Sequence, residues 1–433
     1  MDLFTAAFDI IAAAGGGSSS FGGGGGGGGG SSFGGGSSSS GGSGSGGGSI
    51  WPFVIFGVAF LLFVAFGWWQ GRKLVKKRRA RHAQVRLASA EAAEDDAYFH
   101  HEEVEREAAD LFLAVQRAWS ENDVAGLKAM VGADLMVEWE RRLNDFAAKG
   151  WRNVCHVHNR PEVHYVALVN REDDTEDRVT VHLAATMDDY VLQRDGTKLN
   201  HEGSNTAQRT LSEYWTLARH DAEDRWMLVS IEPDAEGHHH LDSEIVASPW
   251  SDSRLHDDAL VQLAADDAVV GNGVTAGELV DVDYADDAHA AALDLSLADP
   301  RFGPDLLEVA ARRALAAWAE AVDGADTALE AVATPEAITA LLYADDAAHH
   351  RIVVRGPKLE SLKITALDGH AEPPTMDVAA QVRGRRYVEN RDTAALVSGS
   401  RDSETTFGVS LRMALDGDRP SGWKVVAAGA AVR

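Results

Sequence analysis

Four side chains in the middle of the chain carry the chemistry of a general acid or base: Asp123, His182, Asp188 and Asp189. A carboxylate does such work inside an apolar pocket that shifts its pKa, within hydrogen-bond reach of the proton it moves. Nothing local supplies that pocket. Asp189, beside Tyr190, reads as a turn or surface acid, and the chain is expected not to be an enzyme. Two histidine groups carry metal-ligand chemistry. Cys155-His156-Val157-His158, with His164 beyond, offers a thiolate and imidazoles, but on a strand His156 and His158 share a face and Cys155 points away. His238-His239-His240 is a triplet in a polar linker with no carboxylate or cysteine at metal-site spacing. A structural metal needs three or four convergent ligands, so no metal and no cofactor are expected. The Gly-rich residues 15–49 lack the Lys-Ser/Thr that completes a phosphate loop.

The elements that position these groups follow from the stretch Ile50 to Trp69, twenty residues without a charged side chain. As a helix rising about 1.5 Å per residue it is about 30 Å long, the thickness of a bilayer's hydrocarbon core. Trp51 sits at one end and Trp68 and Trp69 at the other, where amphipathic rings favour the headgroup level. Arg72, Lys73, Lys76, Lys77, Arg78, Arg79, Arg81 and Arg86 follow, with no acid among them. Such a block resists translocation, which predicts a single-pass protein with its N-terminus outside and the rest in the cytoplasm. Arg72, Lys73, Lys76, Lys77, Arg78, Arg79 and Arg81 are the expected contacts to anionic lipid headgroups, at about 1 kcal/mol per cation near the surface. The formal net charge is −27; without the eight cations, 32 bases face 67 acids. A body that acidic repels phosphates, which excludes nucleic acid as a partner. Cys155 is the single cysteine, so no internal disulfide forms. Residues 15–49 are Gly and Ser apart from Phe21 and Phe33, and with so little to bury they are expected to be a disordered tail. The scarcity of Lys beside Arg, Ala and Asp suggests a GC-rich bacterial genome, hence a bacterial inner membrane.

Beyond the collar the rhythm is helical. Val104, Ala108, Leu111, Phe112, Val115 and Trp119 repeat at i, i+4, i+7, and a second helix is expected from Val124 to Phe146. Strand patterns follow at 163–169 and 179–183, an Asp195-Gly196 turn, then Leu211 to Arg219 and Trp226 to Ile231 joined by a charged hairpin. A helical piece from Leu255 and a strand-like piece ending at Tyr284 lie in a linker. Then the order recurs. Tyr190 precedes Trp226 by 36 residues and Tyr387 precedes Trp423 by 36, while Trp119 and Trp318 lie 71 and 69 residues before those tyrosines. Such register predicts a duplicated α+β domain. The expected division is a tail at 1–49, a transmembrane helix at 50–69, a basic juxtamembrane segment at 70–90, a first α+β domain at 91–235, a linker at 236–300 and a second such domain at 301–433. Each would lay its helices across a bent antiparallel sheet. Trp119, Tyr190, Trp215 and Trp226 are candidate pocket lining, although aromatic residues of this kind more often form plain core.

The stretch Phe112 to Leu135, then Asp188-Asp189-Tyr190, Trp215-Thr216-Leu217-Ala218-Arg219 and Trp226 to Ile231 resembles the Tim44-like domain family over roughly residues 90–235. The family includes the mitochondrial inner-membrane import translocase subunit and bacterial relatives. The usual Phe of its strand motif is Leu217 here, and the second copy, with Leu411 in place of Trp215, resembles the wider superfamily of nuclear transport factor two. The resemblance implies a cone with a pocket and a membrane-tethered docking role, linked to protein translocation, with an unidentified membrane-associated protein as partner. A lipid or small-molecule ligand in the cone is the alternative, and an enzyme of the cone superfamily the third reading.

Overall fold

The structure, a computed structural model, describes residues 51–200, 206–220, 225–252, 282–285, 287–324, 326–344, 346–417 and 422–428, without the side chains of 51–71 and 220. The expected tail, the helical piece from Leu255 and the tip of the charged hairpin lie outside the described residues. Two units are distinguished, one ending at Gln84 and one beginning at Val85. Helix α1 (Trp51–Asp95) is 45 residues long. Among the described residues no helix is long and apolar enough to cross a membrane, and the side chains of the expected span are not among them.

The unit from Val85 holds two sheets built on one plan, antiparallel except for one parallel pair of strands in the second. In the first, α2 (His101–Glu121), α3 (Val124–Lys128) and α4 (Ala133–Lys149) precede β1 (Arg152–Val157), β2 (Glu162–Val169), β3 (Arg178–Leu192), β4 (Lys198–Asn200), β5 (Gln208–His220) and β6 (Arg225–Pro233). The sheet order is β1-β3-β5-β6, with β2 and β4 also on β3. Asn122, with φ of 57°, ends α2, and Gly150, with φ of 68°, ends α4. Period two along β3 turns Val179, Val181, Leu183 and Met187 to one face. Those residues share a core with Val104, Ala108, Phe112, Val115 and Trp119 of α2 and Leu135, Trp139, Leu143 and Phe146 of α4. Each such side chain contributes about 1.5–3 kcal/mol by burial.

After β7 (Val282–Tyr284) and α5 (Ala288–Ser296), the second array repeats the plan with α6 (Pro304–Asp323), α7 (Thr327–Val332), α8 (Pro335–Leu342), β8 (His350–Asp368), β9 (Thr375–Asn390), β10 (Leu396–Gly399), β11 (Thr405–Leu415) and β12 (Trp423–Ala428). Its order is β12-β11-β9-β8-β7, with β10 on β9 and with β7 parallel to β8. The two copies agree in register to within one residue: Trp215 pairs with Val181 and Leu411 with Val378, and Val181 to Val378 keeps the Tyr190-to-Tyr387 offset. The strands β1 and β2, broken at Pro161, correspond to the single β8, whose pairing with β9 slips near Gly356 and Pro357.

The helix expected from Val124 to Phe146 is two helices. Between them Val131 bridges Leu228 in parallel, Leu228 N–H donates to Met130 C=O at 2.9 Å, and Gly132 N–H donates to Leu228 C=O at 2.7 Å. Three residues of backbone are thereby diverted from helix to sheet. The second copy repeats the device: Ala333 bridges Val425 and Thr334 N–H donates to Val425 C=O.

Candidate functional site: a buried charged seam between two cones

Of the candidate pocket-lining residues, Trp119, Trp215 and Trp226 belong to the packed core of the first cone. Trp119 is 3 %, Trp215 0 % and Trp226 3 % exposed. Trp119 packs edge-on to Trp139 at 5.0 Å, Phe112 lies 5.2 Å from Trp215, and Tyr98 and Phe99 each lie 5.7 Å from Trp226. Tyr190 is half-buried beneath the Lys198 ammonium. Inward-facing residues of small cones meet across a short distance, and large rings close that distance.

Polar groups enter this core only where they are paired. Asp189, expected at the surface, is 1 % exposed. Its Oδ1 accepts from Asn153 Nδ2 at 2.8 Å and its Oδ2 pairs with Arg209 Nη1 at 3.0 Å. Odd residues of β3 face inward, so Asp189 follows Val179 to Met187 into the core, a parity the sequence carried. Asn153 Oδ1 accepts from Trp119 Nε1, and Glu213 accepts from Trp215 Nε1 at 2.9 Å. Burial pushes the Glu213 carboxyl up to about 7, against the opposing pull of Trp215 and Arg209. A carboxyl raised from 4.5 adds stability in full below 4.5 and loses it as pH rises to 7, because the folded state holds the proton longer. Wild-type stability minus that of Glu213→Gln should therefore fall across this window and level off above it. Urea midpoints at pH 4.5, 6 and 8 check this, with a difference of about 2–3 kcal/mol between the ends.

The other acid–base candidates are dispersed. Asp123 caps α3, accepting from Gly126 N–H at 2.9 Å. Asp188 pairs with His158 at 3.2 Å. His182 lies on the opposite face of β3, 3.0 Å from both Ser212 Oγ and Asp234 Oδ1. Cys155 is buried and lies 3.1 Å from Asn153 Oδ1, while the tilted rings of His156 and His158 lie 5.8 Å apart on the other face. His164 Nε2 lies 3.1 Å from Glu162.

In the basic collar, Arg72, Lys73, Lys76, Lys77 and Arg79 are exposed and Arg78 is half-exposed. Arg81 is 6 % exposed. Helical spacing explains it: Arg81, Val85, Ser89 and Ala92 fall on one stripe of α1, and all are buried.

The groups that sequence reasoning missed are concentrated where the two cones meet. On the first cone's side are α4, the end of β6 and a 3-10 turn at Gly237–Leu241, which carries the histidine triplet expected in a linker. Gly237 is required there, because a Cβ would stand 2.3 Å from Tyr214 Cδ2. The second cone contributes the end of α6, β8 and β9. Arg355, 0 % exposed at its side chain, lies 2.9 Å from Asp323 Oδ1, 3.3 Å from Glu236 Oε2 and 3.9 Å from Glu232 Oε1. Tyr387 O–H donates to Glu236 Oε2 at 2.9 Å. Glu138 of α4 receives both Nε and Nη2 of Arg391, at 2.8 and 2.5 Å, and Arg141 reaches Asp392 at 2.8 Å. Glu232 spreads its two oxygens between His239 and His240, each at 2.7 Å. Burial alone would raise the Glu232 carboxyl, but His239, His240 and Arg355 hold it well below the usual range. Burial raises Glu389 to about 7 despite Arg401 and Arg142, and burial lowers Arg142 to about 10.

A curved antiparallel sheet with helices packed into its concave face defines an α+β cone. Residues 85–233 match the family model described as Tim44-like domain. Among solved structures, the intermembrane space region of chloroplast protein ARC6 aligns at 14 % identity, covering 30 % of this chain and 97 % of that one, with a TM-score of 0.24. An Ntf2 like protein involved in plasmid conjugation aligns at 8 % identity, covering 71 % and 90 %, with a TM-score of 0.16. No curated protein matches the chain.

Proposed function

We propose that the protein is a single-pass anchor that holds two cones at the cytoplasmic face of a bacterial inner membrane, where they dock a membrane-associated protein partner linked to translocation. The observation that carries this reading is the Tim44-like domain match at 85–233, placed in sequence directly behind an uncharged twenty-residue stretch and a run of cations. The span of Ile50 to Trp69 supplies the anchor, and the exposed cations of the collar meet anionic headgroups. A ligand held inside the first cone is the weaker reading, because Trp119, Trp139, Trp215 and Phe112 occupy that interior.

Amine-reactive crosslinking in native membranes tests the docking role. Lys128, Lys149 and Lys198 are exposed on the first cone. They should join one recurring membrane-associated protein, and the product should vanish when residues 85–233 are deleted. Crosslinks confined to copies of this chain would sink the docking reading.

A further inference from the structure

We propose that Glu232, His239 and His240 form a divalent-metal site, suited to zinc, with Asp323 of the second cone as an outer partner of His239. Imidazole nitrogen and carboxylate oxygen are a donor set that zinc takes at four-coordinate sites. Glu232, His239 and His240 each place one ligand atom within 4.8 Å of the others. Glu232 Oε2 lies 2.7 Å from His239 Nε2, Glu232 Oε1 lies 2.7 Å from His240 Nε2, and Asp323 Oδ2 lies 3.7 Å from His239 Nε2. Around a tetrahedral ion with bonds of about 2.0–2.1 Å, neighbouring donors stand about 3.3 Å apart. On that geometry the two 2.7 Å contacts open by about 0.6 Å.

The donors are held rigidly. The Glu232 side chain is 2 % exposed, His239 14 %, His240 13 % and Asp323 19 %. His240 stacks on Tyr214 with an interplanar angle of 27°, and the two imidazole rings lie 4.1 Å apart. Gly356, at φ of 56°, lets β8 close over His239, since a Cβ there would stand 2.6 Å from His239 Cβ. Arg355 reaches Asp323 Oδ1 and approaches Glu232 Oε1, the outer-shell contact that orients a ligating carboxylate. Its charge opposes a cation, yet Glu232, Glu236 and Asp323 set three negative charges against that single guanidinium. Within this directly contacting set the surplus of two matches a divalent ion bound by neutral imidazoles. The rival arrangement is a pair of imidazolium–carboxylate contacts without metal.

Zinc alone is the probe. Full-length untagged protein in detergent is stripped with a chelator, exposed to zinc and desalted, and its metal content is measured by mass spectrometry. Cobalt substitution then reports coordination through its visible absorption. The expected result is one equivalent of zinc and a tetrahedral cobalt spectrum, both lost in Glu232→Gln and in His240→Ala and both kept in His238→Ala, whose side chain faces Asp234. Asp323→Asn should weaken binding about tenfold or more, by analogy with lost metal partners. Circular dichroism identifies any variant that fails to fold, and the remaining folded variants then decide. A wild-type chain that retains no zinc overturns the proposal. So does zinc that survives both Glu232→Gln and His240→Ala, or that is lost equally in His238→Ala.

Discussion

An Arg355→Met chain is expected to lose about 3–5 kcal/mol of stability, the usual cost of removing one partner from a buried ion pair. The side chain is inaccessible to water and touches carboxylates from both cones, Glu236 on one and Asp323 on the other. Methionine fills much of the volume but takes from Glu236 and Asp323 the guanidinium that both carboxylates face. A carboxylate so placed is either ionised in an apolar site or protonated against its preference, and both are costly. The urea midpoint, followed by tryptophan fluorescence, measures the loss. A double variant with Glu236→Gln should recover part of it, because the second change removes one stranded charge. A loss below about 1 kcal/mol would place Arg355 with exposed pairs and deny the seam its role.

Deleting Ile50 to Trp69 is expected to move the whole population from the membrane to the soluble fraction. The segment holds twelve Leu, Ile, Val and Phe residues. At about −0.3 to −0.6 kcal/mol each they supply on the order of −5 kcal/mol towards insertion. The collar alone adds about 1 kcal/mol per exposed cation, which salt screens. A chain lacking the span should therefore bind anionic vesicles weakly and release in high salt, whereas the full chain should resist alkaline extraction. Neutralising Lys73, Lys76, Lys77 and Arg79 together should leave the full chain anchored but weaken its preference for orientation.

The helix faces and the duplication were legible because each depends on spacing within one element or on fixed offsets between large aromatic residues. The α2 stripe from Val104 to Trp119 and the paired Tyr–Trp intervals are such signals. The break between α3 and α4 was not, because its cause is tertiary: Gly132 has no local reason to leave a helix until Leu228 offers a strand backbone. The seam was illegible for the same reason. Glu138 and Arg391 lie 253 residues apart, and Glu236 and Arg355 lie 119 apart. Each reads alone as a solvated surface charge. The histidine triplet lacked a carboxylate partner only within its own segment; Glu232 precedes it on β6 and Asp323 arrives from the other cone. Asp189 could have been read correctly, since it shares strand parity with the core of β3.

Protease accessibility on the two sides of the membrane tests the anchored double cone most directly. Right-side-out spheroplasts and inverted vesicles carrying the full chain are treated with protease and probed with an antibody to the second cone. The account requires that the cones survive in spheroplasts and are digested in inverted vesicles. Digestion of the cones in intact spheroplasts would contradict the orientation, and with it a docking role on the cytoplasmic side.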